Sequence, residues 1–228
     1  MNVFTDPPRL PLIAPSILSA DFAYMGEACA SVMDAGADLL HLDVMDGHFV
    51  PNLTMGPDMC AGLRGALPGV FLDVHLMVTD PGQYVEAFAK AGADHFTFHV
   101  EAVPNRADAL ALAARIREHG MTAGLAINPP TDRARLLDIV RPGEFELLLV
   151  MSVNPGYSGQ AFIAETLETT RAIRAAMGPE QRIQMDGGVK PENAAAVREA
   201  GCDVLVAASA IFGKPLEAWG GVIGSLRA

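Results

Sequence analysis

The chain has 228 residues, half of them hydrophobic, and a formal net charge of −11 at pH 7. This length and apolar content allow one large core and suit a single (β/α)8 barrel, which typically has about 250 residues. The acidic excess and the absence of a Lys or Arg cluster argue against nucleic-acid or anionic-membrane surfaces, because both require clustered cations. We therefore expect a small-molecule substrate.

Cysteine usage and the N-terminal segment both indicate a cytoplasmic protein. Cys29, Cys60 and Cys202 lie far apart without CxxC spacing, which predicts reduced core thiols and not a disulfide framework or a thiolate zinc site. The opening segment MNVFTDPPRLP has no apolar stretch of signal-peptide length, and later apolar runs are too short to cross a membrane.

Taken in chain order, apolar runs of strand length alternate with helical stretches rich in Ala, Leu, Glu and Arg, which predicts parallel strand pairing. Eight strand candidates occur: Leu12–Ser19, Leu39–Met45, Val70–Met77, His95–Val100, Thr122–Asn128, Glu146–Val153, Arg182–Gly187 and Val204–Ile211. The helical candidates include Ala23–Ala35, Gln83–Ala91, Ala107–His119, Ala161–Met177 and Glu192–Ala200.

A weak internal repeat supports the same alternation. DAGADLL from Asp34, KAGADHF from Lys90 and EAGCDVL from Glu199 would each join a helix end to a strand start, with Gly just past the helix and Asp opening the strand. We predict a single TIM-barrel domain over residues 1–228, with residues 1–11 as a short extension. An open doubly wound sheet is the alternative.

In such a barrel, chemistry lies at the carboxyl ends of the strands. The polar and Met residues at those ends are Ser16, His41, Asp43, Asp73, His75, Met77 and Asp186. Two histidines and two carboxylates on neighbouring strand ends could hold one divalent transition metal. A single such residue more often satisfies a core hydrogen bond, so their coincidence favours a site. Asp73 should lie one layer deeper, and for His99 a core role and a substrate contact stay open.

Methionines and glycine turns accompany these residues. Met45, Met77 and Met151 fit either core packing or an apolar lid over a dry metal site. Glycine turns at residues 154–160 and 186–188, after the sixth and seventh strand candidates, and the segment at residues 207–209, within the end of the eighth, could hold a phosphate mainly through main-chain N–H groups. Ser209 is a possible side-chain donor. The polar, Pro-rich loop over residues 48–57 is a candidate to close over a substrate.

Seven segments together resemble the signature of the ribulose-phosphate 3-epimerase family. They are PSILSADF from Pro15, HLDVMDGHFVPNLTMGP from His41, DVHLMV from Asp73, FHVEA from Phe98, VNPGYSGQ from Val153, MDGG from Met185 and SAIF from Ser209. The resemblance covers nearly the whole chain in order. It implies a ribulose-phosphate-binding TIM barrel with one divalent metal that interconverts D-ribulose 5-phosphate and D-xylulose 5-phosphate in pentose-phosphate or photosynthetic carbon metabolism.

The same resemblance implies roles for individual residues. The metal ligands would be His41, Asp43, His75 and Asp186, and the acid/base pair Asp43 and Asp186. A metal would stabilise the enediolate formed when the proton leaves C3. Substrate contacts would fall on Ser16, His75, Gly156, Tyr157, Ser158, Gly159, Asp186, Gly187, Gly188, Ala208 and Ser209. In the family, Gly-Phe-Gly-Gly is usual where this chain has Gly156-Tyr157-Ser158-Gly159, and Gly-Ser where it has Ala208-Ser209.

Several features stay open at the level of sequence. The metal could be Zn, Fe(II), Mn or Co, and the family often forms dimers or hexamers. The nearest alternative activity is 3-epimerisation of D-allulose 6-phosphate. A non-catalytic sugar-phosphate-binding barrel is more remote. A decarboxylase of the orotidine-phosphate type is disfavoured, because no Lys ends the second or third strand candidate.

Overall fold

The computed structural model describes residues 2–228, so Met1, the first residue of the predicted extension, lies outside the described residues. Eight parallel strands form one sheet in the order β1-β8-β7-β6-β5-β4-β3-β2. Their bounds are β1 Leu12–Pro15, β2 Leu40–Met45, β3 Leu72–Met77, β4 His95–His99, β5 Thr122–Ile127, β6 Leu147–Met151, β7 Arg182–Asp186 and β8 Val204–Ala207. A parallel bridge between Ser16 and His41 joins the two end strands. The (β/α)8 barrel is therefore confirmed over the open sheet.

Helices follow the strands around the outside of the barrel. The α-helices are α1 Met25–Asp34, α2 Pro57–Ala66, α3 Val85–Lys90, α4 Arg106–Glu118, α5 Arg133–Ile139, α6 Thr166–Met177, α7 Pro191–Glu199, α8 Ser209–Phe212 and α9 Trp219–Arg227. Short 3₁₀ turns occupy Ile17–Ser19, Phe22–Tyr24, Pro81–Tyr84, Val100–Ala102 and Leu216–Ala218. Within residues 2–228, no helix is both long and apolar enough to cross a membrane.

The sequence pattern missed four helices, α2, α5, α8 and α9, and misplaced three boundaries by four or five residues. Helices α2 and α9 carry two and three glycines, which weaken the helical signal, and α5 is only seven residues long. The first and last strand predictions ran too far, because Ile17 and Ile211 extend an apolar run although each lies in a helical turn. The helix predicted from Ala161 begins at Thr166.

Alternation along the strands separates the core from the site. In β2 the side chains of Leu40, Leu42 and Val44 pack in the main core, whereas those of His41 and Asp43 are buried outside that apolar cluster. The three cysteines are buried and unpaired, as predicted.

The N-terminal segment packs against the same end of the barrel as the start of β4. Phe4 is buried, with its ring centroid 5.1 Å from that of Phe71 and 4.7 Å from that of His95, both in edge-on geometry. Both ring nitrogens of His95 also have hydrogen-bond partners: Nδ1 lies 2.8 Å from Thr122 Oγ1, and Nε2 lies 3.0 Å from Thr97 Oγ1. His95 is thus a core histidine.

Acid–arginine clamps tie alternate strand pairs together at the amino ends of the strands. In each clamp, an acidic residue before an even-numbered strand accepts the backbone N–H of the preceding strand and pairs with an Arg on a helix. The acid, N–H donor and Arg are Asp38 with Ile13 and Arg227; Asp94 with Leu72 and Arg64; Glu146 with Ala123 and Arg117; and Asp203 with Ile183 and Arg174. Three of these acids belong to the repeat seen in the sequence, whose Gly36, Gly92 and Gly201 have the positive φ expected after a helix.

Candidate active site

The barrel gathers two histidines and two aspartates at the carboxyl ends of β2, β3 and β7. His41, Asp43, His75 and Asp186 are buried, and one ligand atom from each lies within 4.8 Å of the others. Asp43 Oδ1 is 3.0 Å from His75 Nδ1 and 3.3 Å from His41 Nε2, while Asp186 Oδ2 is 3.9 Å from His41 Nε2. The side chains predicted from three separate strands therefore meet in one cluster.

The environment of His41 orients one ring nitrogen into this cluster. Its Nδ1 lies 2.7 Å from Asp73 Oδ2, and the same oxygen accepts a hydrogen bond from Gln184 Nε2 at 2.8 Å. Within residues 2–228, no hydrogen-bond partner reaches His41 Nε2, although that atom is buried. An ionised Asp73 accepts Nδ1–H, so a cation that displaces the proton from Nε2 would meet its lone pair, which is the arrangement a metal-binding histidine needs. The residues present thus fit a divalent cation.

The two carboxyl groups have opposite proton affinities. For Asp43, burial opposes ionisation, but the positive charge of His41, together with the close contact to His75, outweighs it and holds the pKa below its ordinary value. For Asp186, burial and then the negative charges of Asp43 and Asp73 raise the pKa to about 8. Near neutral pH, one aspartate is therefore ionised and the other protonated, which is the pairing that acid/base catalysis uses.

A cleft opens above the cluster. It is lined by Asp43 and Asp186 and by the predicted residues Ser16, Met45, Met77, Met151, Gly156, Tyr157, Ser158, Gly159, Gly187, Gly188, Ala208 and Ser209. Ser16 Oγ donates a 2.5 Å hydrogen bond to Asp43 Oδ2, which fixes the second carboxylate oxygen. Of the predicted site residues, His41 and His75 lie beneath the cleft and do not line it.

The methionines form an apolar boundary of this cleft. Met45 and Met77 are buried and pack with Val50, and Met151 is buried against Val153. Their side chains give this part of the cleft an apolar wall.

Two loops meet over one side of the cleft. Asn52 Nδ2, in the loop after β2, donates to Gly156 O at 2.7 Å, and Tyr157 Oη donates to Pro51 O at 2.8 Å. The β2 loop is further held to the start of the β3 loop, because Asp46 Oδ2 accepts hydrogen bonds from the N–H and hydroxyl of Thr79. Sequence reasoning missed the contact of Asn52, because its partner Gly156 lies 104 residues away along the chain.

The opposite side of the cleft is built from main chain. Gly187 and Gly188 have φ of 120° and 63°, and a Cβ on Gly187 would lie 2.6 Å from Val153 Cγ2, so both positions require glycine. Ala208 has φ of −105°, so this position, where the family usually has glycine, does not adopt the left-handed conformation that favours glycine.

Gln184 is a second residue that sequence reasoning missed. It lies two positions before Asp186 on β7, so both side chains point into the barrel, and its amide donates to Asp73 beneath the cluster. Strand parity applied to β7 could have identified it, as it did for Asp73 on β3.

A (β/α)8 barrel with two histidines and two aspartates at its strand ends defines a barrel enzyme with a candidate metal centre. The chain belongs to the ribulose-phosphate 3-epimerase family, whose model matches residues 12–212. It is therefore an isomerase.

Curated relatives extend the match over most of the chain. The present chain is 49% identical to a ribulose-phosphate 3-epimerase of Serratia marcescens over 207 residues, which cover 90% of this chain and 96% of the relative. Identity is 48% to the enzyme of the same name from Synechocystis over 223 residues, covering 95% and 94% of the two chains. Among solved structures, a 3-hexulose-6-phosphate synthase is 18% identical with a TM-score of 0.66, covering 95% and 98%, which supports the fold.

Proposed function

We propose that this protein interconverts D-ribulose 5-phosphate and D-xylulose 5-phosphate by moving a proton at C3. The observation that carries the proposal is that Asp43 and Asp186 meet with His41 and His75 in one buried cluster, and that both carboxyl groups line a single cleft. Relatives at 47–49% identity that bear the name of this activity support the choice of substrate. The reaction would serve pentose-phosphate or photosynthetic carbon metabolism.

In this proposal His41, Asp43, His75 and Asp186 hold one divalent cation. Two imidazole nitrogens and two carboxylates suit Zn, Fe(II), Mn or Co. When bound, the cation supplies positive charge that favours negative charge on the substrate oxygens next to C3.

The proton chemistry belongs to the two aspartates. Asp43 takes the C3 proton from one face of the sugar, and Asp186 returns a proton to the other, so C3 inverts and no atom is gained or lost. In the reverse reaction the roles exchange. Ser16 holds Asp43 through its hydroxyl, which limits the rotation of the reacting carboxylate.

The remaining predicted residues would place the substrate. We assign the phosphate to main-chain N–H groups around Gly187, Gly188 and Ser209, where the chain comes close without side chains. The sugar would lie between this turn and the methionines, which exclude water from the carbanion-like intermediate. Gly156 to Gly159 would cover the substrate from the β6 side.

The test follows deuterium incorporation at C3 of D-ribulose 5-phosphate in deuterated water, together with formation of D-xylulose 5-phosphate. Native protein is compared with Asp186→Asn and with Asp138→Asn, a matched change at an exposed position on α5. We expect labelled xylulose 5-phosphate from native protein and Asp138→Asn. Asp186→Asn should lose at least about 100-fold in turnover, as for loss of a general acid or base.

Metal content of each variant is measured in parallel, so that loss of a ligand is distinguished from loss of the acid. If native protein neither exchanges nor epimerises after metal is restored, the proposed substrate is wrong. D-allulose 6-phosphate is then the comparison sugar.

A further inference from the structure

A second polar chain leads away from the cluster through His75. His75 Nε2 lies 2.8 Å from His99 Nε2, and His99 Nδ1 lies 3.1 Å from Glu101 Oε2. Both imidazoles are fully buried, and their ring planes differ by 24° with centroids 5.0 Å apart, as expected for rings that meet nitrogen to nitrogen. The chain runs from a proposed metal ligand on β3, across the end of β4, to a carboxylate.

Glu101 is fixed in place by its other oxygen. Glu101 Oε1 accepts the backbone N–H of Asn128 at 2.9 Å, at the end of β5. Burial disfavours its charge, but hydrogen bonds from His99, from Thr131 and from the backbone N–H of Asn128 lower its pKa to about 2. Oε2 is therefore an anionic acceptor presented to His99 Nδ1.

This geometry determines which nitrogens carry hydrogen. A neutral imidazole has one N–H, and a bare Nδ1 facing the Glu101 carboxylate would place two lone pairs against each other. His99 therefore donates from Nδ1 and accepts at Nε2. Among residues 2–228, that acceptor lies against His75 Nε2–H. A cation between His75 Nδ1, Asp43 Oδ1 and Asp186 Oδ2, which lie 3.0 and 3.7 Å from Nδ1, would then take the place of a proton on Nδ1 and receive its lone pair.

We propose that Glu101 and His99 act as positioning residues that hold His75 in the Nε2–H tautomer and so prepare its Nδ1 to bind the cation. This inference rests on the proposed metal site and extends it to residues that do not contact the substrate cleft. It gives His75 the same kind of support that Asp73 gives His41, but through an intervening histidine. Phe49, from the loop after β2, covers His99 with ring centroids 5.0 Å apart.

The experiment measures zinc affinity by competition with a chelator in native protein, His99→Leu and His99→Gln. Leucine removes the acceptor, and we expect the zinc dissociation constant to rise about 10- to 100-fold, the effect typical of losing such a partner. Glutamine can present its amide oxygen near the position of Nε2, so its affinity should lie much closer to that of native protein. Thermal unfolding of the metal-free variants reports any purely structural effect.

A second readout is the nitrogen-15 spectrum of the histidines in the zinc-loaded native protein. We expect His99 to carry a proton on Nδ1 alone and His75 on Nε2 alone. Equal zinc affinity in native protein and His99→Leu, or a His99 protonated at Nε2, overturns the inference and leaves the metal site standing. If native protein binds none of zinc, cobalt, manganese or iron(II), the metal site falls and the inference with it.

Discussion

At the scale of the residue, the support behind each histidine should control the metal site. His41 has one carboxylate behind it, Asp73, whose Oδ2 serves both His41 Nδ1 and Gln184 Nε2. An amide at this position either donates to Nδ1 and reverses the tautomer of His41 or accepts as a neutral group. Both changes weaken the lone pair directed at the cluster.

We therefore expect Asp73→Asn to raise the dissociation constant for zinc about 10- to 100-fold. Chelator competition measures this constant, and circular dichroism checks that the barrel is retained. Glu86→Gln, an equivalent change of an exposed carboxylate on α3, is the control and should bind zinc as native protein does. Unchanged affinity in Asp73→Asn would show that His41 is oriented by packing alone.

At the scale of the element, the acid–arginine clamps attach helices to pairs of strands. Arg174 of α6 donates to Gly178 O, Gln181 O and Gly201 O as well as to Asp203, with 21% of its side chain exposed. Arg171, one turn earlier on the same helix, pairs with Glu168 but is 48% exposed. Both arginines pair with a carboxylate but differ in burial, so Arg171 is a matched control for Arg174.

We expect Arg174→Met to lower the free energy of unfolding by about 2–3 kcal/mol, because a partly buried carboxylate and several carbonyls lose their donor. Arg171→Met should change it by less than about 0.5 kcal/mol, as is usual for an exposed pair. Denaturant unfolding of both variants measures the difference. Similar losses in the two variants would mean that the clamp contributes no more than a surface ion pair.

At the scale of the whole molecule, stability should depend jointly on pH and on metal. In the metal-free protein the pKa of Asp186 is raised from 3.8 to about 8, chiefly by burial. The folded state then binds more protons than the unfolded state between these values, so this group lowers stability as pH rises across that window. His41, whose pKa is raised by Asp43 and Asp73 against the effect of burial, acts in the same direction.

A bound cation favours ionised aspartates and unprotonated histidines, so its stabilising effect should grow between pH 6 and pH 8. The same free zinc concentration is used at both pH values. Where it equals about 100 times the dissociation constant at pH 8, the gain in unfolding free energy at pH 8 is about 2.7 kcal/mol, and the gain at pH 6 is smaller. Unfolding with zinc and with EDTA at both pH values measures this gain. A gain that is the same at pH 6 and pH 8 would contradict proton competition at these ligands.

The expected homo-oligomer, a dimer or a hexamer, stays a prediction.

Strand alternation and the chain order of strand and helix were enough to predict the barrel. The same parity rule placed His41 and Asp43 together and Asp73 beneath His75, because side chains alternate regularly along a strand. The predicted end of the first strand was wrong, because a local hydrogen bond ends the strand inside an apolar run. At Ser16 the side chain accepts from Leu18 N and turns the chain out of β1.

The sequence by itself therefore determined the fold class, the set of strand side chains that meet in the cluster and, through resemblance, the family, because these depend on residue type and periodicity along the chain. Only the tertiary structure decided which groups pair across distant strands: Gln184 with Asp73, Asn52 with Gly156 and His75 with His99. It also decided that Asp43 and Asp186, identical in chemistry, differ in proton affinity. Burial and neighbouring charge set that difference, and both are properties of the assembled barrel.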